Sequence, residues 1–469
     1  MIALPFLLRR LRELRVLEEA AELTLIREGV LTLADLELAI AEERPFAADA
    51  RLRRAAEMLG QSLRPLTLGR AWDLLDNFIA ALTAHCPTLH AIEPAAGVRR
   101  AEPIVNGLVV VAAAADPARA VDCIASLPSA TELLHRTGRR ILILFEGYEI
   151  DVRVAKPDEY GSVLFTTTGP SVHVAGVLKR RGPRLSASES DVYTNAGLLY
   201  LPPETRDGPD ALDRAVRRDV PALVRREDIR GDLHMHTTYS DGRDPLRRMI
   251  QAAHALGYEY IAITDHSEHA GASRTVTPDQ LTRQRDEIER LRAEAPGMTI
   301  LHGLEVDILP DGTLDCPDAV LATLDIVLAS LHDAAGQSGR QLTRRCLGAI
   351  RHPLVSVITH PGNQLVGRRP EYDMDYPEIF NAAVETGTAL EIDGAPAHLD
   401  LSGSRAREAV EAGVTVVIDS DCHRSRALDR QMRMGVGTAR RGWVEPGHVL
   451  NTRPIGAVRA FVAAKRGGH

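Results

Sequence analysis

The 469-residue chain has no uninterrupted apolar run of about 20 residues, which excludes a helix that crosses a bilayer. Its first apolar run precedes Arg9 and Arg10 instead of following them, the wrong order for a secretory leader. Cysteine is scarce. Cys86, Cys123, Cys316, Cys346 and Cys422 are scattered, odd in number and without CxxC spacing, so reduced thiols in a cytoplasmic protein are expected. Excess positive charge is also missing: a formal net charge of −8 leaves no global footprint for nucleic acid, and any such contact needs a local basic patch. Solenoid repeats and low-complexity tracts do not occur. Histidine is thin in the first half, where four of the 17 precede residue 230, so the expected chemistry lies in the second half.

What is present is an ordinary globular composition, 45% hydrophobic and 26% charged, at a length that calls for two or three domains. Residues 1–63 carry apolar residues at three- and four-residue spacing and read as helical, with the arginines on a solvated face. Residues 64–227 change pattern. A helix over AWDLLDNFIAALTAH leads to the strand-like NGLVVVAAAAD, then a helix from about Ala118 to Leu134. Two β-runs follow, RRILILFEG and YEIDVRVAK, joined at Gly147-Tyr148 as a hairpin. The pattern predicts a small α+β domain, with the main boundary in LVRREDIRGD near residue 228. From there to residue 469, seven β-runs alternate with helical segments, which predicts parallel strands in a closed or nearly closed βα barrel.

In such a barrel, chemistry projects from the C-terminal ends of the strands. In GDLHMHTTYSDG, His234 and His236 are two residues apart and share one face of a strand, with Asp241 in the following turn. The next strand ends in Thr264-Asp265-His266. Glu305 lies in GLEVDI, His332 ends IVLASLH, His360 ends VSVITHP, and Asp421 with His423 follow VTVVIDS. One such histidine is unremarkable, but five strand ends each carrying one, with a glutamate in a sixth, point to a metal centre. Nine ligands exceed the capacity of one ion, so two or three are expected, with Glu305 as a bridge. Nitrogen and oxygen donors without thiolate suit Mn²⁺, Zn²⁺ or Fe²⁺. Ions that share a carboxylate suit phosphate-ester hydrolysis, because they acidify water and neutralise charge on the attacked and leaving oxygens.

Taken together, GDLHMHTTYSDG, ITDHS, GLEVDILPDGTLDCPD, SLH, THP and SDCH resemble the polymerase-and-histidinol-phosphatase (PHP) domain over residues 229–469. That resemblance implies a distorted seven-stranded TIM-like barrel with three metals. It puts His234, His236, Glu305 and Asp421 on one metal, Glu305, His332 and His360 on a second, and Asp241, His266 and His423 on a third. It also casts Asp421, His423 and Glu305 as the catalytic residues. Asp393 stands where relatives often carry Asn, and Arg368 in GRRPEYDMD is a candidate phosphate contact.

The order of helical region, α+β domain and barrel is similar to bacterial family X DNA polymerases with a C-terminal PHP domain. The resemblance implies helix-hairpin-helix DNA-binding elements, then a nucleotidyltransferase palm with three aspartates for two Mg²⁺. The chain departs from that pattern. Arg99 and Arg100 are kept, but Gly97 stands at the serine position and Gly107 and Val109 at the aspartate pair; only Asp151 survives. One carboxylate of three cannot position two Mg²⁺, so an inactive polymerase half is expected, with Asp151 structural. No Gly-x-Gly hairpin occurs before Gly60, and Arg27-Glu28-Gly29-Val30 is the nearest remnant. The resemblance thus implies a 3′→5′ exonuclease or 3′-end-processing phosphoesterase acting on DNA ends. A small-molecule phosphatase of the histidinol-phosphatase kind, and a front half kept as a regulatory or partner-binding module, stay open beside it.

Overall fold

The computed structural model describes residues 5–13, 16, 19–62, 66–181, 184–268, 270, 274–332 and 336–467. The chain divides into two compact units, Met1–Val220 and Pro221–His469.

Unit 1 opens with helices Phe6–Glu13, Glu19–Arg27, Leu33–Ala41 and Ala50–Ser62. The amphipathic run read from the sequence also crosses Leu14, Arg15, Leu17 and Glu18, which lie outside the described residues. The third helix starts at a capping box in which Thr32 and Asp35 exchange side-chain and backbone hydrogen bonds. The strands of this unit are Leu66–Thr67 (β1), His90–Pro94 (β2), Ile104–Val105 (β3), Leu108–Ala113 (β4), Ala130–Arg136 (β5), Arg140–Phe145 (β6) and Tyr148–Ala155 (β7). β1 and β3 form a short ribbon. The others form one sheet in the order β2-β4-β7-β6-β5, with β4 parallel to β7 and the other pairs antiparallel.

Three expectations are corrected in this unit. The helix read over Ala118–Leu134 ends at Ala125, and Ala130–Arg136 is an edge strand. Pro128 lacks the amide a helix needs, and β-branched Thr131 then suits a strand. The five cysteines are not all free thiols: Cys86, just past helix Leu68–His85, is disulfide-bonded to Cys123 of helix Pro117–Ala125, with Cα atoms 5.9 Å apart. Sequence spacing could not show a pair 37 residues apart. Finally, residues 1–63 and 64–227 do not stand apart. Leu134 and Leu142 of the sheet share a core with Leu7, Leu11, Leu36 and Leu59 of the helices.

The division between the units falls after Val220 and not near residue 228, because the intervening segment is already fastened to the barrel. Val224 N–H donates to the Val444 carbonyl at 2.9 Å, and Arg226 meets Asp429 at 3.0 Å while lying over the Tyr258 ring.

Unit 2 is the seven-stranded parallel barrel that the alternation predicts. Its strands are Gly231–Asp232 (β8), Tyr260–Ile263 (β9), Thr299–Asp307 (β10), Ile326–Ser330 (β11), Val357–Ile358 (β12), Ala389–Asp393 (β13) and Val416–Asp419 (β14), hydrogen-bonded in sequence order. β8 is shorter than the DLHMH run suggested. Beyond Asp232 the chain leaves the ladder and reaches the last strand through a Met235–Cys422 bridge, with His236 N–H on the Cys422 carbonyl at 3.0 Å.

The two-residue period of the strands sorts the barrel interior into layers. Tyr260, Leu301, Ile326, Val357, Ala389 and Val417 belong to an inner apolar cluster that Val458 and Val462 of the last helix, Ile455–Gly467, close from one end. Moving along each strand by twos, the inward positions become Thr264, Glu305, Ser330, Thr359, Glu391 and Asp419, all buried. Gly303 separates Leu301 from Glu305. A Cβ there would meet Ile326 Cγ2 at 2.8 Å and Thr264 Cγ2 at 2.9 Å, so no larger residue fits between the layers. Outward-facing Ile261, Val327, Ile358 and Ile418 pack under the surrounding helices with Met249, Ile288, Ile350 and Phe380.

Candidate metal centre

All nine residues singled out from the sequence converge at the C-terminal ends of the strands. The Nε2 atoms of His234 and His236 are 3.1 Å apart, and Asp421 Oδ1 lies 3.0 Å from His236 Nε2 and 3.6 Å from His234 Nε2. Glu305 sits at the bottom, fully buried. Its Oε2 is 3.3 Å from His234 Nε2, 3.4 Å from His236 Nε2 and 2.9 Å from His266 Nδ1; its Oε1 is 3.3 Å from His332 Nε2 and 3.2 Å from His360 Nε2. Asp241 Oδ1 faces His423 Nε2 at 3.2 Å and His266 Nε2 at 3.5 Å.

Among the described residues of the barrel, three sets offer donor atoms within 4.8 Å of one another: His236, Asp241, His266 and His423; His234, His236 and Asp421; and His266, Glu305 and His332. All three differ from the grouping the resemblance implies: the first adds His236, the second lacks Glu305, and the third has His266 in place of His360. His236 stands with Asp241 and His423 as well as with His234, and His266 spans two sets because its two nitrogens face Asp241 and Glu305 separately.

Carboxylates and carbonyls behind the imidazoles fix which nitrogen faces inward. His234 Nδ1 donates to Glu391 Oε1 at 2.6 Å, His332 Nδ1 to Asp307 Oδ1 at 2.5 Å, and His423 Nδ1 to the Asp421 carbonyl at 3.0 Å. Each of these bonds uses the proton on Nδ1 and turns Nε2 toward the centre, where it offers a lone pair to a metal once its own proton leaves, the arrangement typical of metal-binding histidines. Glu391 also accepts the His360 backbone N–H at 2.7 Å. Ser330 and Thr359 hydroxyls donate to Glu305 Oε1, which orients the carboxylate and leaves Oε2 without a hydrogen-bond partner. Asp241 Oδ1 and His266 Nδ1 are likewise buried and unpartnered. Orphaned donor atoms of this kind, aimed at one another, fit divalent cations, because burying them otherwise costs free energy with no return.

The local backbone is shaped for this purpose. Gly242 follows Asp241 where a Cβ would meet the backbone of His236 and Thr237 at 2.6 Å, so only glycine lets the loop fold back over the first strand. His360 (φ +26°) and Asp421 (φ +47°) hold left-handed conformations that non-glycine residues rarely adopt, and such strain persists where function requires it.

Electrostatics agree. Burial opposes the charged forms throughout, yet the charges win. Glu305 is held well below the usual carboxylate range by His234, His266 and His332, and Asp421 by His234 and His423. Burial likewise disfavours the His332 imidazolium, but Glu305 and Asp307 push its pKa up to about 10; Asp421 and Asp241 push His423 up to about 9. Burial first, then the neighbouring His266 and His423, lowers the pKa of His236 to about 4. These imidazoliums occupy positions a cation can take over once their protons leave.

Asp393 is fully buried; one oxygen accepts the Ala395 N–H at 2.5 Å and the other has no partner. Burial, then Asp421 and Glu391, raise its pKa well above the ordinary value. Arg368 lies exposed on the turn after β12, while its neighbour Arg369 is drawn inward, donating to the Asn363 carbonyl at 2.7 Å. Sequence reading gave no role to Glu391, Asp307 or His398. The alternation that placed Glu305 inside also places Glu391 two residues from Ala389. His398, whose ring stacks on His360 at 5.4 Å, comes from an irregular loop that carries no such signal.

The palm-like unit offers a contrast. β4 and β7 pair in register so that Val109 lies opposite Asp151. Asp151 is 2% exposed and receives Arg140 Nε and Nη2 at 2.8 Å each and Arg153 Nη2 at 3.0 Å. Both arginines also reach Asp35, at 2.7 and 2.6 Å. Arg140 Nη1 donates to the Gly29 carbonyl at 2.7 Å, so the nearest remnant of a DNA-gripping hairpin is tied to the sheet. Arg99 pairs with Glu189 at 2.7 Å and Arg100 with Asp207 at 3.2 Å. Among the described residues no helix is long and apolar enough to cross a membrane.

The PHP domain family matches residues 232–374. The DNA polymerase/3′-5′ exonuclease PolX of Bacillus subtilis is 36% identical over 389 residues, covering 78% of this chain and 68% of that protein. A probable phosphatase of Thermoanaerobacter sp. strain X514 is 30% identical over 247 residues, covering 50% of this chain and 95% of its own length. The crystal structure of histidinol phosphate phosphatase from Lactococcus lactis overlaps 46% of this chain and 95% of its own, with 19% identity and a TM-score of 0.37, too loose to argue from. With the polymerase-exonuclease similarity running through both units, the chain belongs to the PolX family and its second unit carries a PHP domain.

Proposed function

We propose that the protein is a metal-dependent phosphoesterase that removes nucleotides or blocking groups from DNA 3′ ends, and that its palm-like unit no longer polymerises. The observation that carries the first part is the set of imidazole Nε2 atoms turned inward around Glu305, backed by Glu391 and Asp307. The observation that carries the second is Asp151, neutralised by two arginines and facing Val109.

His234, His236, Asp241, His266, Glu305, His332, His360, Asp421 and His423 would hold two or three Mn²⁺, Zn²⁺ or Fe²⁺ ions. Such ions supply Lewis acidity toward a phosphate ester and lower the pKa of water. The chain's own groups do the rest. Glu305, locked by Ser330 and Thr359, is the shared carboxylate between the donor sets. Glu391 and Asp307 keep His234 and His332 in the required tautomer. His423 is the most open of the ring histidines, with a side chain 35% exposed, and with Asp421 beside it is placed to carry the proton released during hydrolysis.

A second reading, hydrolysis of small phosphomonoesters, rests on the probable phosphatases that align with the barrel half. One assay separates them. Purified protein with Mn²⁺ is given a 5′-labelled single-stranded oligodeoxynucleotide and, separately, p-nitrophenyl phosphate, each with and without EDTA. Stepwise, EDTA-sensitive shortening from the 3′ end supports the nuclease reading. An intact oligonucleotide with rapid p-nitrophenol release would replace it with the phosphatase reading.

A further inference from the structure

The chain is acidic overall, yet one side of the barrel mouth is not. Arg243 lies two residues beyond Asp241, and its backbone N–H donates to the His423 carbonyl at 2.7 Å. Arg424 directly follows His423. Arg274, from the loop after the second strand, crosses over to donate Nη2 to the Gly242 carbonyl at 3.1 Å. Three exposed arginines from three separate loops are thus stitched around one corner, beside the Asp241–His423 end of the centre.

Among the described residues none of the three is ion-paired with a carboxylate. Elsewhere on the barrel unit, Arg247 pairs with Glu294, Arg292 with Glu289 and Arg405 with Glu371. Asp244 accepts the Ser425 N–H and hydroxyl at 2.7 and 2.8 Å, and these bonds, with Arg248 and Arg424 nearby, lower its pKa. Three exposed guanidiniums without an ion-pair partner, set on one corner of a chain of net charge −8, offer an anionic ligand a local positive field. Guanidinium forks suit phosphate oxygens, and phosphate contacts set register without reading sequence.

We propose that Arg243, Arg274 and Arg424 form a backbone-phosphate clamp that holds the strand adjoining the phosphate under attack. This rests on the nuclease reading above and adds the surface that would make the substrate a polyanion and not a monoester. It supplies the local basic patch that the net charge required.

The test is the salt dependence of binding of a short 5′-fluorescein-labelled single-stranded oligodeoxynucleotide to the full-length protein, read by anisotropy, alongside steady-state exonuclease kinetics. Loss of a phosphate contact lowers the log–log salt slope by ~0.7 for a single strand, so the variant Arg243→Ala, Arg274→Ala, Arg424→Ala should lose about 2 from its magnitude. Its KM for the oligonucleotide should rise with kcat retained. The matching triple lysine variant should recover the slope, because charge and not fork geometry sets counterion release. Arg459→Ala, on the helix that closes the opposite end of the barrel, should change neither. An unchanged slope in a folded alanine variant overturns the clamp while leaving the nuclease intact. Wild-type protein that neither binds nor shortens the oligonucleotide overturns the clamp and the nuclease reading together.

Discussion

The two units bury carboxylates in opposite ways. In unit 1, Asp35 and Asp151 face Arg140 and Arg153, cations that never release their protons. In unit 2, Glu305, Asp241 and Asp421 face histidines, and Glu305 and Asp241 each keep an oxygen without a hydrogen-bond partner. A carboxylate neutralised by arginine has no need of a metal; one neutralised by imidazolium can exchange protons for metal. The partner, and not the acid, separates a structural charge cluster from a reactive one.

The contrast is broken most severely at its reactive end. Glu305→Gln removes the shared carboxylate and should drop phosphoesterase activity to background, with loss of bound metal by elemental analysis; retained metal and activity would remove Glu305 from the centre. At the structural end, Asp35→Ala leaves Arg140 and Arg153 with one acid between them. It should destabilise unit 1 by about 3 kcal/mol in urea unfolding, with hydrolysis by the barrel unaffected. Restoring aspartates by Gly107→Asp and Val109→Asp should not restore nucleotide addition, since Asp151 stays held by its arginines.

Orienting groups come next. Glu391→Gln or Asp307→Asn should weaken metal binding by about 10- to 100-fold without unfolding the barrel, measured by competition with a chelating dye.

The smallest effects are in pH, and they differ in sign between the units. Arg153 and Arg140 outweigh the burial that would raise the Asp35 pKa and hold it well below its ordinary value. Its contribution to stability is therefore full above the unfolded value of about 3.9 and is lost as pH falls below it. His332 and His423 are raised to about 10 and about 9 in the metal-free protein. Their ion pairs stabilise the metal-free barrel fully below the unfolded value of about 6.5 and fade as pH rises through 9 to 10. Metal affinity should run the other way, rising with pH as fewer protons must be displaced. Thermal melts with and without metal across that range check both signs; melting curves for the two forms that move in parallel would contradict them.

The barrel and the side chains that converge at its mouth were legible because their signals are periodic and local. Five of the seven β-runs carry a histidine at their ends and a sixth carries Glu305, which two-residue alternation places inward from Leu301. Helix and strand were confused at Ala130–Arg136, where only Pro128 marks the change. The Cys86–Cys123 bond, the shared core joining Leu134 to Leu36, and the Arg140–Asp35 pair are long-range contacts that leave no periodic trace. Gly107 and Val109 stand where the resemblance implies aspartates, and the structure adds that the remaining Asp151 pairs with Arg140 and Arg153.

The central claim is that one half hydrolyses while the other no longer builds. A 5′-labelled primer on a gapped template, with Mn²⁺ and all four deoxynucleoside triphosphates, tests both at once beside the Asp421→Ala, His423→Ala variant. The account predicts stepwise shortening from the 3′ end by the wild type and an intact primer with the variant. A primer that lengthens would contradict the reading of Asp151 as a purely structural charge, and shortening that persists in the variant would contradict the assignment of the barrel.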